Sequence, residues 1–83
     1  MQTIQVDVPE EALLSLKENA ETFGQEIKLL AAVKLFELGR LSSGRAAQLA
    51  GLPRVVFLMR LGDYQVSPFQ LSPEDLAQDI ANA

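Results

Sequence analysis

The feature that most constrains the fold is a helical segment at residues 25–38 that is apolar on two opposite sides. At a period of 3.6 residues its apolar side chains form two stripes. One stripe contains Ile27, Ala31, Leu35 and Leu38, and the other contains Leu29, Ala32, Val33 and Phe36. One stripe can pack on its own chain. The other needs a second layer, which the chain or a partner must supply.

The small size of the chain points in the same direction. It has 83 residues, of which 48% are hydrophobic. A single domain of this size buries only about 60% of its unfolded surface, so a monomer is marginally stable. A homodimer would let so small a chain bury its many apolar side chains against a second copy. We therefore expect a homodimer.

Composition also excludes several kinds of site. The sequence contains no Cys and no His, which rules out disulfides, thiolate nucleophiles, imidazole bases and the usual zinc ligands. Its carboxylates are scattered over helix starts and surface faces. The sequence also shows no glycine-rich phosphate loop and no nucleophile–base arrangement. We therefore expect no metal, no cofactor and no catalytic activity.

Targeting signals are missing from the sequence. The N-terminus has no basic region followed by an apolar core, so it does not resemble a signal peptide. No uninterrupted apolar run approaches the roughly 20 residues that a membrane-spanning helix needs. We expect a cytoplasmic protein that does not bind membranes.

The N-terminal sequence TIQVDVP alternates strictly, with Ile4, Val6 and Val8 on one face. This pattern predicts a half-buried β-strand ended by Pro9. The sequence offers no clear second strand, so the open edge would pair with the same strand of another subunit. The residues predicted to form the dimer are Ile4, Val6, Val8, Leu29, Val33 and Phe36.

The rest of the sequence predicts short helices. PEEALLSLKENA has proline and acidic residues at its start, as helices prefer, and ETFG is expected to break the run before residues 25–38. Gly39 can cap that helix. The next helix is expected from Ser42 or Ser43 to about Ala50, and the following one from Pro53 to about Gly62. VVFLM could instead be a buried strand.

The sequence AAQLAGLPRVVF fits a helix-turn-helix. Ala47 is the small contact between helices, Gly51 the turn and Phe57 the plug from the second helix. We therefore expect a mainly α fold, with an N-terminal β-strand (the dimer ribbon) followed by a small helical domain containing a helix-turn-helix. Residues 1–62 would form the DNA-binding domain, with the motif at 42–62, and residues 63–83 an extended segment and short acidic helix. The alternative is a helical hairpin that does not contact DNA.

Charge is segregated along the chain. The net charge is −4, yet residues 39–62 carry four arginines and no acid. Such a patch suits phosphate binding, although arginines also solvate exposed faces. Arg54 would read bases with help from Val55, since the rest of the second helix is apolar. The predicted DNA-binding residues are Arg40, Ser43, Arg45, Arg54, Val55 and Arg60.

The C-terminal segment is acidic, and residues 63–83 carry four acids and no base. It fits a cationic protein partner. The predicted partner-binding residues are Phe69, Leu71, Leu76 and Ile80. Equally, this segment could dock as a helix on the core of its own chain.

Nearly the whole chain resembles a family of small, largely uncharacterised prokaryotic proteins predicted to be helix-turn-helix antitoxins. The best-matched part is LFELGRLSSGRAAQLAGLPR, followed by Phe57 and Leu61-Gly62. The resemblance implies pairing with a PIN-domain ribonuclease toxin and repression of the protein's own operon. It places Arg45 and Arg54 at DNA and Phe57 in the core of the motif. At Val55 and Val56 this chain is aliphatic, where an aromatic and an acidic residue are expected.

The N-terminal half also resembles a ribbon-helix-helix segment. In that fold the outward strand residues enter the major groove, and here they would be Thr3, Gln5 and Asp7. A carboxylate facing phosphates is repelled, so we interpret the strand as a dimer ribbon rather than a DNA reader. Together these features predict a dimeric DNA-binding antitoxin that represses transcription and neutralises a partner toxin. The alternative is a protein-interaction adaptor that does not bind DNA.

Overall fold

Five helical segments follow one another along residues 1–68, the part of the chain that the structure, a computed structural model, describes. They are α1 (Glu10–Leu16), α2 (Ala20–Glu37), α3 (Ser43–Ala50), α4 (Arg54–Arg60) and a 3₁₀ helix (Leu61–Tyr64). Within this range, none of the helices is long and apolar enough to cross a membrane.

The predicted N-terminal β-strand is wrong. Residues 1–68 contain no strand, and the segment before α1 has no regular secondary structure. A strand exists only where its N–H and C=O groups pair with a neighbouring strand, and alternation of side chains does not supply that neighbour. Ile4 is 82% exposed and Val6 65% exposed, so two of the three side chains on the face expected to be half-buried lie open, and only Val8 is half-buried. The dimer ribbon built on this strand is therefore wrong as well.

Helix α1 forms as expected, but none of its residues is fully buried. It begins directly after Pro9 and has Glu10 and Glu11 in its first turn, where carboxylates favour the helix dipole. It ends at Lys17 in the left-handed conformation, where the Glu18 N–H donates to the Leu13 carbonyl at 3.0 Å. No α1 residue is buried, so local signals rather than packing define this helix.

Helix α2 is longer than predicted, because ETFG does not break it. Asn19 and Thr22 form a reciprocal capping box: the Thr22 N–H donates to Asn19 Oδ1 at 2.9 Å, and the Asn19 N–H donates to Thr22 Oγ1 at 3.2 Å. These bonds start the helix at Ala20. Gly24 inside a helix costs only about 1 kcal/mol relative to alanine, which is too little to stop it.

The two sides of α2 have different surroundings. Ala32, Val33 and Phe36 are buried, so the stripe that contains them packs on its own chain. On the other stripe Ile27 and Leu38 remain exposed. Within the described residues, the chain therefore buries one side of this helix and leaves Ile27 and Leu38 of the other side exposed.

The core lies where α2, α3 and α4 meet. Phe36 and Phe57 pack edge to face, with ring centroids 6.0 Å apart and planes at 87°. Ala46 and Ala47 are small enough to let α3 approach these rings, and Leu61 and Val66 belong to the same buried cluster. Residues 55–59 are helical, so the alternative of a buried strand there is wrong.

Candidate nucleic-acid interface

The corner between α3 and α4, defined as residues 42–62, is built from local signals. The Ser42 hydroxyl accepts from the Arg45 N–H at 3.2 Å and caps α3, as predicted. Gly51 ends α3 at φ 72, and the Leu52 N–H donates to the Ala47 carbonyl at 3.0 Å. An L side chain is strained at this φ, so glycine permits the sharp change of direction into α4.

Arg54 is held in place by the other helix of the corner. Its Nε donates to the Ser43 hydroxyl at 2.8 Å, joining the beginning of α4 to the beginning of α3. Ser43 is only 1% exposed. The structure therefore places Ser43, one of the predicted DNA-binding residues, beneath the surface, where it orients the Arg54 guanidinium.

The other three arginines of residues 39–62 reach solvent. Arg40 and Arg45 are exposed. Arg60 lies 3.3 Å from Asp63 (Nε to Oδ2), with 47% and 67% of the two side chains exposed. An ion pair this open is worth little and leaves the Arg60 guanidinium accessible to a competing anion.

The outer face of α4 is apolar. Val55 is 66% exposed, Val56 38% and Met59 74%. At 100° per residue these three side chains fall within an arc of about 100°, and the buried Phe57 points the other way. Val55 was predicted at this surface. Sequence reasoning missed Val56, although the helical period places it on the same side as Met59.

A second surface lies at the N-terminal half of the chain. A groove of about 950 Å³ separates the N-terminal segment from α2. Its apolar lining includes Ile4, Val6, Val8, Leu13, Phe23, Ile27 and Ala31. Three of the predicted dimer residues are thus together here, whereas Leu29 packs against the core of its own chain. Val33 and Phe36 lie inside that core, where a second subunit does not reach.

Glu18 and Glu26 form a carboxyl pair near the start of α2. The side-chain hydrogen bond to Glu26 raises the pKa of Glu18, and partial burial and the negative charge of Glu26 raise it further. Within residues 1–68, no group of three or more acidic side chains is placed so that it could hold a metal ion. The predicted partner-binding residues Phe69, Leu71, Leu76 and Ile80 lie outside the described residues.

Comparison with known proteins places the whole chain in one family. Residues 1–83 match the model of a family described as "Uncharacterised protein family (UPF0175)". A relative from Aeropyrum pernix, described as "UPF0175 protein", is 38% identical over 56 residues, which cover 68% of this chain and 71% of the relative. No solved structure matches the chain.

Proposed function

The chain belongs to the uncharacterised protein family UPF0175, and we propose that it is a DNA-binding antitoxin whose α3–α4 corner is a helix-turn-helix. In this role it acts as a dimer, represses transcription by binding operator DNA, and neutralises a partner toxin of the PIN-domain ribonuclease class. The observation that carries the proposal is the corner itself: two short helices around a left-handed glycine, with arginines as their only charges.

Charge at the corner favours a polyanionic ligand. Residues 39–62 carry a charge of +4, while the stretches on either side are acidic. Concentrated cationic charge attracts phosphates even when the net charge of the protein is negative. Arg40, Arg45 and Arg60 suit phosphate contacts, which position a protein on DNA without reading sequence.

Arg54 is the residue best suited to read a base. Its hydrogen bond to buried Ser43 restricts the side chain before any ligand binds, so less entropy is lost on binding. The Nε bond to Ser43 fixes the orientation of the guanidinium plane. The terminal N–H groups have the fork geometry with which arginine binds guanine O6 and N7.

The dimer would use the N-terminal half rather than a strand ribbon. Exposed apolar side chains are concentrated on the N-terminal segment, α1 and the outer side of α2: Ile4, Val6, Leu14, Leu16, Ile27 and Leu30. A second copy that covers them leaves both α3–α4 corners accessible. Two corners related by a twofold axis would bind two half-sites spaced by about one turn of DNA.

Toxin binding is assigned to the acidic C-terminal segment. Residues 63–83 carry four acids and no base, and they include apolar side chains between those acids. A ribonuclease binds a polyanion and therefore presents a cationic surface, to which such a segment is complementary.

Gel-shift titrations on DNA from upstream of the protein's own gene test the proposal. We expect binding that weakens with salt, and Arg45→Ala and Arg60→Ala should each flatten the slope of log affinity against log salt by about 0.9. Arg54→Ala should also reduce the difference in affinity between duplexes of different sequence. Lys34→Ala, which removes an exposed cation from α2, is the matched control and should leave the slope unchanged.

A protein-interaction adaptor is the second candidate. It is favoured by the exposed apolar face of α4, because recognition helices usually offer polar side chains to base edges. No DNA binding at low salt would exclude the antitoxin-repressor role and leave the adaptor.

A further inference from the structure

The outer face of α4 is apolar, and it lies in the arginine-rich part of the chain. Val55, Val56 and Met59 form a contiguous apolar surface, which we name the α4 apolar face. The sequence around it, residues 39–62, carries arginines and no carboxylate. A ligand for this surface must be anionic and must also present apolar groups of methyl size.

Duplex DNA has one apolar group at its base edges. In the major groove thymine displays its C5-methyl group, whereas guanine, adenine and cytosine display hydrogen-bond donors and acceptors. Aliphatic side chains leave such polar groups without partners, which is costly. The α4 apolar face therefore favours thymine and disfavours the polar edges of the other bases.

We propose that the α4 apolar face reads thymine through its C5-methyl group, so that the preferred ligand of the α3–α4 corner is an A·T-rich duplex. This inference rests on the proposed DNA binding and names the class of sequence that the site selects. Arg54, oriented by Ser43, adds one polar contact beside the methyl-reading surface.

An apolar protein surface could also cover Val55, Val56 and Met59. Such a partner would need carboxylates around its apolar centre to match the arginines of residues 39–62. The duplex meets both requirements with groups that every A·T-rich site contains, namely phosphates and thymine methyls. We therefore commit to DNA, and the test below distinguishes the two ligands.

Uracil substitution isolates the methyl group. The tightest duplex from a set tiled across the DNA upstream of the gene is synthesised again with deoxyuridine in place of thymidine. This change removes the C5-methyl and keeps the O4 acceptor and base pairing. Fluorescence anisotropy should show affinity reduced by about fourfold for each contacted methyl group.

Variants then assign the effect to α4. With Val55→Ala the affinity ratio between thymidine and deoxyuridine duplexes should fall towards one, because the substitution removes both γ-methyl groups, the atoms with which Val55 reaches the thymine methyl. Val6→Ala is the matched control, since Val6 is the same residue type, 65% exposed, and lies in the N-terminal segment. It should keep the wild-type ratio, whatever its absolute affinity.

Each outcome has a definite meaning. Equal affinity for thymidine and deoxyuridine duplexes overturns methyl reading and leaves DNA binding intact. A ratio that persists in Val55→Ala, Val56→Ala and Met59→Ala shows that another element reads the methyls, and also overturns the inference. If no duplex binds at low salt, DNA binding itself fails, and an acidic protein ligand takes its place.

Discussion

The two halves of the described chain differ in how they bury apolar surface. No residue between 1 and 31 is buried, although this half includes exposed Ile4, Val6 and Leu14. Residues 32–66 contain every buried side chain of the described region, from Ala32 to Val66. Both halves have comparable apolar composition, so composition does not cause the difference.

What differs is the geometry that follows each helix. After α2 the chain turns sharply at Gly39 and again at Gly51, and these turns bring α3 and α4 back onto Phe36. Before α2 the chain turns once, at Lys17, and no residue of α1 is buried. We expect residues 32–66 to supply most of the stability of the folded chain, and the apolar side chains of residues 1–31 to depend on a partner for their burial.

The largest effect should come from removing the aromatic centre of the second half. Phe57→Ala should lower the free energy of unfolding by about 3–5 kcal/mol, because Phe57 is fully buried and packs on the Phe36 ring. Leu14→Ala, in exposed α1, should change it by less than about 0.5 kcal/mol in dilute protein. Urea denaturation measures both, and similar losses in the two variants would contradict the division into halves.

The partner of the first half can be tested next. Ile4→Asp should weaken self-association at least about tenfold. Each of the two subunits would bring one unpaired carboxylate into an apolar interface, and burying such a group is costly. Sedimentation equilibrium measures the association constant. Val55→Asp, at an aliphatic position of the second half that is 66% exposed, should leave it unchanged. A wild-type protein that stays monomeric at every concentration would refute the dimer.

Replacing one glycine in each half by alanine should change the stability by smaller amounts, with opposite signs in the two halves. Space is open around both positions, so only the backbone conformation matters. Gly51→Ala should cost about 1–2 kcal/mol of stability, since alanine is strained at φ 72. Gly24→Ala should add about 0.5–1 kcal/mol, because alanine favours the helix interior. Thermal unfolding compares them, and changes of equal sign would show that φ does not decide the outcome.

The smallest effect should be a pH dependence in the first half. The hydrogen bond to Glu26 raises the pKa of Glu18 in the folded state, so folded protein binds a proton more readily than unfolded protein. This contribution to stability is complete below the ordinary carboxyl pKa and is lost as pH rises through the raised pKa. Glu18→Gln should therefore flatten the decline in stability over that window, measured by denaturation at successive pH values. An unchanged slope would argue against the carboxyl pair.

Local signals in the sequence predicted the ends of elements well. Ser42 caps α3, Gly51 ends it in the left-handed conformation, and Gly39 follows α2 at φ 74. Each of these features depends on hydrogen bonds between residues a few positions apart. The capping box of Asn19 and Thr22 is equally local, and it starts α2 ahead of the ETFG segment that was predicted to break the run.

The candidate site was predicted in composition but not in arrangement. The segregation of arginines into residues 39–62 and the apolar character of α4 are properties of the sequence. The bond from Arg54 to Ser43 joins residues eleven positions apart, and only the packing of α3 on α4 brings them within 2.8 Å. The same packing buries Ser43 and turns Val56 outward.

By itself, then, the sequence determined where helices end, where charge collects and which helix has two apolar sides. Tertiary structure decided which of those sides the chain covers, placing Val33 and Phe36 in the core and leaving Ile27 exposed. It also decided that residues 1–9 form no strand. The physical reason is the same in each case: capping and charge are local, whereas burial and strand pairing depend on which distant surface the folded chain supplies.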